Sequence, residues 1–167
     1  VLHHPDVPAD VSVTGIRARG FAGTTAQMSL RGLVRPIETR LLGTANLSNI
    51  AAASAVALVA GLGADDIAAG VADLTPPAHR GEIVPAAGGW VIIDDAYNSS
   101  PSALVRALQT LSTTPGRHVA VLGEMLELGD FSQRYHAECG TAAGDLGVAV
   151  VIAVGGAPAR ALAEAAI

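Results

Sequence analysis

The sequence predicts an α/β protein whose second half forms a Rossmann-like parallel sheet. From residue 82 onward, short apolar β-branched segments alternate with amphipathic segments of helical length. This alternation is typical of right-handed crossovers between parallel strands. Half of the residues are hydrophobic but only 3% are aromatic, so Ala, Val, Leu and Ile must form the core. No strand is expected after the final helix, so the sheet is expected to be incomplete within this chain.

Two regions of different character are expected on either side of a proline-rich segment. Residues 11–42 alternate weakly between apolar and polar positions, which predicts strands separated by glycines. An Ala-rich helix over 43–61 and a second helix over 65–74 are expected next. Thr75 to Gly81 contains two adjacent prolines, which cannot continue a helix, so we place a domain boundary between residues 76 and 77. Beyond it we expect strands at 82–85, 90–93, 118–122 and 148–154, and helices at 102–111, 132–146 and from 157 onward.

Composition excludes several classes of protein. A net charge of −5 without a basic stripe argues against nucleic-acid binding. No apolar run is long enough to span a bilayer and no signal peptide is present, so we predict a cytoplasmic location without membrane insertion. Cys139 is the only cysteine, which excludes an internal disulfide or a cysteine zinc cluster. We interpret His3, His4 and Asp6 as a solvated terminus and predict no metal site.

The basic residues limit what the chain can do with a nucleotide. All ten are arginine, so the chain contains no G-x-x-x-x-G-K-[ST] phosphate loop and no lysine nucleophile or base. If the protein uses ATP, the phosphate loop must lie outside this chain.

Three predicted strands end in polar or glycine-rich segments, which begin at Asp94, Gly123 and Gly155. The carboxyl ends of parallel strands share one edge of a sheet, where ligands bind, so we expect these segments on the same rim. Asp94 and Asp95 precede Ser99 to Pro101, which is also a good helix start, and the pattern alone leaves a capped turn and a ligand rim equally open. Apolar residues between Glu124 and Gly129 indicate packing on a partner domain or a substrate.

Four further polar residues carry two interpretations each. Asn46 and Asn49 lie one turn apart at a helix start, and their spacing favours capping over an amide that binds a purine edge. Arg80 is either a surface charge or a donor to phosphate, and its position alone favours the surface. A lone helical histidine such as His136 is more often structural or solvated.

Two segments in the first half resemble motifs of the Mur ligases. Gly43 to Ala52 resembles the family's G-x-H-N-x-x-N pattern and the alanines after it, with Ala45 in place of the histidine. Pro77 to Arg80 resembles the family's Pro-x-x-Arg linker.

Two segments in the second half resemble more specific motifs, those of the Mur ligases that add D-alanyl-D-alanine to a UDP-muramoyl tripeptide. Asp94 to Pro101 resembles D-D-[SA]-Y-N-A-N-P, with Ser99-Ser100 in place of Ala-Asn. Val121 to Gly129 resembles V-L-G-[DE]-M-x-E-L-G without a break, and His136 follows at the expected distance.

The resemblance implies that residues 1–76 end a central ATP-binding domain and that residues 77–167 form an incomplete C-terminal Rossmann-like domain. It implies part of an ATP-dependent amide ligase that joins D-alanyl-D-alanine to UDP-N-acetylmuramoyl-tripeptide through an acyl phosphate. ATP and Mg²⁺ would bind mainly outside this chain, on the remaining N-terminal and central-domain segments. The resemblance therefore also implies no catalytic residue in this chain and no activity from the chain alone. The implied nucleotide-binding residues are Asn46, Asn49, Arg80 and Asp95. The implied substrate-binding residues are Tyr97, Asn98, Glu124 and Glu127.

Two other functions stay open at this point. One is a non-catalytic α/β module that binds a ligand or a partner. The other is a related ligase, such as a folylpolyglutamate-type enzyme, for which turnover of a pterin glutamate would be diagnostic.

Overall fold

The computed structural model describes residues 9–167, so His3, His4 and Asp6 lie outside the described residues. The structure divides into two compact units, the first ending at Ile83 and the second spanning Val84–Ile167. The assignment of residues 1–76 and 77–167 to two Mur ligase domains stays a prediction. Among residues 9–167, no helix combines the length and the hydropathy that crossing a bilayer requires.

The first unit contains a three-stranded antiparallel sheet and two helices. Their bounds are β1 (Val11–Ala18), β2 (Thr24–Leu30), β3 (Leu33–Thr39), α1 (Thr44–Val59) and α2 (Ala64–Ala72), with strand order β1-β2-β3. β2 and β3 are joined by only two residues, Arg31 (φ 48°) and Gly32 (φ 84°). Two positive φ angles in a two-residue hairpin match the right-handed twist of the strands. The three strands, each antiparallel to the next along the chain, form a β-meander.

One apolar cluster holds the first unit together. Its buried side chains are Val13, Ala26, Met28, Leu30 and Ile37 from the sheet, Leu47 and Ile50 from α1, and Ile67 and Val71 from α2. The sheet positions alternate along β2, as expected for a sheet with one covered face. Both helices therefore pack on the same sheet and fix the start of α1, where Asn46 and Asn49 lie.

An exposed ion pair joins β3 to the first turn of α2. Arg35 Nε and Nη2 donate to the two carboxylate oxygens of Asp65, at 2.6 and 3.3 Å. This hydrogen bonding, and secondly the charge of the guanidinium, lowers the pKa of Asp65 below its ordinary value of 3.8. A lowered carboxyl pKa contributes stability above the ordinary value, and that stability is lost as the pH falls through the lowered one.

We expect Asp65→Asn to destabilise the protein at pH 7, because the variant loses this pair. The difference in the free energy of unfolding between wild type and variant should shrink as the pH falls below 3.8. Urea unfolding between pH 2.5 and pH 7 measures it. Asp66→Asn is the matched control, since Asp66 lies in the same helical turn and the pair with Arg35 is left intact. A difference independent of pH would contradict the role of the pair.

The second unit has the predicted α/β character. It contains the second half of β4 (Glu82–Pro85), whose first two residues belong to the first unit. Its other elements are β5 (Val91–Asp94), α3 (Pro101–Ser112), β6 (Val119–Gly123), α4 (Ser132–Asp145), β7 (Val150–Val154) and α5 (Ala157–Ala165). β6 and β7 pair in parallel from Val119 opposite Val150 to Gly123 opposite Val154, with α4 as the crossover helix. The parallel sheet is thus confirmed.

The position of β5 differs from the sequence-based expectation. In the described chain β5 pairs with β4, whereas β6 and β7 form a separate two-stranded sheet. Five residues join β4 to β5, and the Ala86 N–H donates to the Trp90 carbonyl oxygen at 2.9 Å, which closes this short turn. A strand joined so closely to its neighbour pairs with it locally. Of the three predicted strand ends, only those of β6 and β7 lie side by side in one sheet.

A second apolar cluster holds α3, α4 and α5 against the β6–β7 pair. Its buried members are Leu104, Leu108, Ala120, Met125, Cys139, Ala143 and Leu162. Burial, and secondly the Glu138 carboxylate, raises the pKa of the Cys139 thiol. A buried thiol with a raised pKa is a core side chain, which argues against a nucleophilic role.

Candidate functional site

Glu124, the first residue after β6, is held by its backbone and by its side chain. The Glu124 N–H donates to the Val154 carbonyl oxygen at 3.0 Å, and Glu124 Oε2 accepts the Gly156 N–H at 2.6 Å. Gly156 is the N-cap of α5, where a carboxylate is favoured by the free N–H groups and the helix dipole. Glu124 therefore joins the ends of β6 and β7, and these two strand ends share a rim as predicted.

The close approach of Glu124 requires glycine at position 155. A Cβ atom on Gly155 would lie 2.6 Å from Glu124 Oε2 and 2.8 Å from its Cβ, and Gly155 has a φ of 148°. The two glycines after β7 therefore make room for an acidic side chain from β6. The sequence shows the pair Gly155-Gly156 but does not reveal that the Glu124 side chain packs against it.

Met125 and His136 form the buried side of the same segment. Met125 is 2% exposed and His136 is fully buried. His136 Nε2 accepts the Met125 N–H at 2.9 Å, and His136 Nδ1 lies 2.7 Å from the Ser132 carbonyl oxygen. His136 is therefore a structural histidine, and its ring supports the backbone of the candidate site at Met125.

The remaining residues of the segment face in different directions. Leu126 is 75% exposed, whereas Leu128 is half-buried and packs on the core of the second unit. Glu127 is exposed and has a φ of 63°, a conformation that is uncommon outside glycine. Packing on a partner or a substrate was expected for all the apolar residues here. That expectation is wrong for Met125 and Leu128, which pack within their own unit.

Short local hydrogen bonds shape the segment that follows β5. Asp94 Oδ1 accepts the Ala96 N–H at 3.1 Å, and Asn98 Oδ1 accepts the Ser99 N–H at 2.8 Å. The first is an Asx turn, which Asp favours, whereas the second joins Asn98 only to the next residue. Asp95, Tyr97 and Asn98 are exposed, and Tyr97 is exposed over 63% of its surface.

The helix after this segment begins as expected but without a side-chain cap. α3 starts at Pro101, and Ser100 is its N-cap residue in an extended conformation, with no hydrogen bond from its side chain to the helix. Pro101 at the first helical position favours the helix through its fixed φ. The helix therefore starts where the capped-turn interpretation places it, but the side-chain cap itself is absent.

At the start of α1, capping does not explain the two asparagines. The N-cap is Gly43, with φ 79° and no side-chain cap hydrogen bond. Asn46 is half-buried inside the helix, where its Nδ2 donates to the Leu42 carbonyl oxygen at 2.7 Å. Asn49 lies one turn later and is exposed. The interpretation of either asparagine as the N-cap is therefore wrong.

Arg80 lies in a tight turn within the first unit. Its N–H donates to the Pro77 carbonyl oxygen at 3.1 Å, and its neighbours His79 and Gly81 have φ angles of 59° and 74°. The Arg80 side chain is exposed. The turn thus presents a guanidinium at the surface, where an anionic group can reach it.

The predicted site residues fall into two sets, one in each unit. Asn46, Asn49 and Arg80 belong to the first unit, and Asp95, Tyr97, Asn98, Glu124 and Glu127 belong to the second. Sequence reasoning missed two backbone N–H groups: that of Gly156, which binds the Glu124 carboxylate, and that of Met125, which binds the His136 ring. Backbone groups leave no residue-type signal, and only the glycine pair after β7 pointed to one of them.

The chain is similar to known proteins along most of its length. The family model described as Mur ligase, glutamate ligase domain, matches residues 79–167. A Bacillus subtilis protein named UDP-N-acetylmuramoyl-tripeptide–D-alanyl-D-alanine ligase is 35% identical over 114 residues, which cover 67% of this chain and 25% of that protein. The chain therefore spans about a quarter of the length of this curated relative.

Two solved structures of longer chains contain the fold of this chain. A crystal structure of MurF from Acinetobacter baumannii is 29% identical with a TM-score of 0.87, and the match covers 93% of this chain and 34% of that one. The MurF ligase of Thermotoga maritima, solved in complex with ADP, is 26% identical with a TM-score of 0.81, and the match covers 93% and 35% of the two chains. With the family model over residues 79–167, these findings show that the chain belongs to the Mur ligase family.

Proposed function

We propose that this chain is part of an ATP-dependent ligase that joins D-alanyl-D-alanine to UDP-N-acetylmuramoyl-tripeptide in peptidoglycan precursor synthesis. The observation that carries the proposal is the unbroken segment Val121 to Gly129, whose structure holds Glu124 on the rim of a parallel sheet. The name of the Bacillus subtilis relative supports the choice of substrates. The match of residues 79–167 to the Mur ligase model favours this function over a non-catalytic module.

ATP is a substrate of the proposed reaction, and the exposed polar groups of this chain fit parts of it. The Arg80 guanidinium is suited to phosphate oxygens, which it can bind with two parallel hydrogen bonds. The Asp95 carboxylate can accept hydrogen bonds from the two ribose hydroxyls. Asn46 and Asn49 lie on one side of α1, where the Asn49 amide can pair with the edge of adenine.

Four residues of the second unit, Tyr97, Asn98, Glu124 and Glu127, would serve the incoming dipeptide. Tyr97 and Asn98 offer a hydroxyl and an amide at the surface, and Glu127 offers a carboxylate that can bind an ammonium group. Glu124 already uses Oε2 for Gly156, so we assign it to the shape of the site as well as to its charge. These groups bind and orient the amine, which is the main contribution that positioning makes to a bond-forming step.

The chemistry of activation would come from outside this chain. ATP transfers its γ-phosphoryl group to the tripeptide carboxylate and leaves as ADP. The dipeptide amine then displaces phosphate from the resulting acyl phosphate and releases a proton. Mg²⁺ supplies charge stabilisation at phosphate oxygens, and we assign no ligand of it to this chain. We place the reaction in the cytoplasm and propose that the chain alone does not catalyse it.

The full-length protein containing this sequence should release ADP only when the UDP-tripeptide, D-alanyl-D-alanine, ATP and Mg²⁺ are all present. A coupled ADP assay with mass detection of the UDP-pentapeptide measures this. Single D-alanine and a pterin glutamate are the comparison substrates. Turnover of the pterin glutamate without turnover of the dipeptide would establish the other type of ligase, and turnover by residues 1–167 alone would contradict the division of the active site.

A further inference from the structure

We infer that His136 is a positioning residue that holds the Glu124–Gly129 segment in the conformation that receives the incoming amine. The identity of that amine rests on the proposed function, whereas the contact between His136 and Met125 is seen in the structure. His136 lies in the first turns of α4 and contacts the segment through the Met125 backbone, 11 residues away in sequence.

The hydrogen bonds of His136 define its proton. A carbonyl oxygen only accepts, so Nδ1, 2.7 Å from the Ser132 oxygen, must carry the hydrogen. A backbone N–H only donates, so Nε2, 2.9 Å from the Met125 nitrogen, must present its lone pair. His136 is therefore the neutral Nδ1–H tautomer, and both ring nitrogens are used. The fully buried ring has no water to replace either partner.

This bond is one of three that set the course of the backbone after β6. The other two join the Glu124 N–H to Val154 and the Glu124 carboxylate to Gly156. Fixed at Glu124 and Met125, the chain turns through Glu127 and Gly129, at φ 63° and 53°, and exposes Leu126 and Glu127. Without an acceptor at Nε2, the buried Met125 N–H would be unpaired, and the segment would move to find water.

A histidine that only fills the core would act differently from one that positions the segment. Filling requires volume, whereas positioning requires an acceptor at one point in space. Two substitutions separate these roles. His136→Gln can place its Oε1 near the former Nε2 and keep the Met125 bond. His136→Asn is shorter and can keep only the donor to Ser132. It is also smaller than histidine, but a loss due to volume alone would raise the KM values for ATP and the dipeptide together.

The experiment uses the full-length protein with ATP, UDP-tripeptide and D-alanyl-D-alanine. We expect His136→Asn to raise the KM for D-alanyl-D-alanine about 10- to 100-fold, with the KM for ATP changed much less. His136→Gln should stay within about threefold of wild type, which is rescue by the variant that keeps the acceptor. Equal KM values for the dipeptide in the Asn and Gln variants would overturn the inference, as would equal increases for ATP and dipeptide.

A spectroscopic readout distinguishes failure of this inference from failure of the proposed function. In wild type, ¹⁵N spectra should show a protonated Nδ1 and an unprotonated Nε2 in His136, and the Met125 amide should exchange slowly with solvent. A protonated Nε2 or a fast-exchanging Met125 amide would overturn the positioning role even if the Asn variant fails to fold. Absence of ligation by wild type with this spectrum intact would instead overturn the proposed function, and the dipeptide role of His136 with it.

Discussion

Replacing Arg80 with alanine in the full-length protein is expected to slow ligation roughly 10²- to 10³-fold, the usual cost of removing one fixed donor from a developing charge. The structure holds Arg80 in a turn closed by its own N–H and the Pro77 carbonyl oxygen, with its side chain exposed. Because the turn fixes the Arg80 backbone, the guanidinium can bind phosphate oxygens with little further loss of backbone freedom. Steady-state kinetics with ATP as the varied substrate should show the loss.

Two further variants test whether the effect belongs to the guanidinium at this position. Arg80→Lys keeps the charge but loses the paired donors, so it should recover only part of the rate. Arg117→Ala is the matched control: Arg117 is also exposed, but it precedes the amino end of β6, away from the rim that carries Glu124. Its rate should stay close to wild type. An Arg80→Ala rate equal to that of Arg117→Ala would refute the phosphate role.

Replacing Gly140 with alanine is expected to lower the free energy of unfolding by about 1–3 kcal/mol, the usual cost of overpacking a core. Gly140 lies in α4 where α5 crosses it, and a Cβ atom there would lie 2.1 Å from the Leu162 carbonyl oxygen. That oxygen belongs to the backbone of α5, so it cannot move by changing a rotamer. The two helices would have to separate, which would disturb the core around Leu162.

Gly144 provides the matched control on the same helix. A Cβ atom at Gly144 would lie 3.2 Å from the Ala166 carbonyl oxygen, a tight contact that a small shift relieves. Alanine also favours a helix over glycine by roughly 0.8–1.0 kcal/mol, so Gly144→Ala should change stability by less than about 1 kcal/mol. Urea unfolding of both variants measures the difference. Equal stability of the two would contradict the close helix approach at Gly140.

The order and type of the elements could be predicted from local pattern, and their pairing could not. The strands and helices after residue 82 lie where β-branched runs and amphipathic segments predict them. The pairing of β5 with β4 instead of with the β6–β7 sheet was missed. The five-residue connection allows β5 to pair with β4, but apolar runs look the same whichever neighbour they pair with.

The candidate site shows the same division. Motif resemblance named Asp95, Glu124 and Arg80, and the structure leaves Asp95 and Arg80 at the surface. It did not indicate that Glu124 would hydrogen-bond Gly156, because a backbone N–H has no residue type. Nor did the asparagine spacing at α1 reveal that Gly43 is the N-cap, since asparagine is favoured over glycine at that position.

The sequence by itself determined the family motifs, the lack of any lysine and the alternation that makes an α/β unit. These features depend on residue type and local spacing, which a linear sequence states directly. Only the tertiary structure decided how the Glu124–Gly129 segment is held. Three hydrogen bonds hold it: two join Glu124 to Val154 and Gly156, and one joins Met125 to His136. The two partners of Glu124 are backbone groups up to 32 residues away. Such contacts exist only once β6, β7 and α4 have packed together.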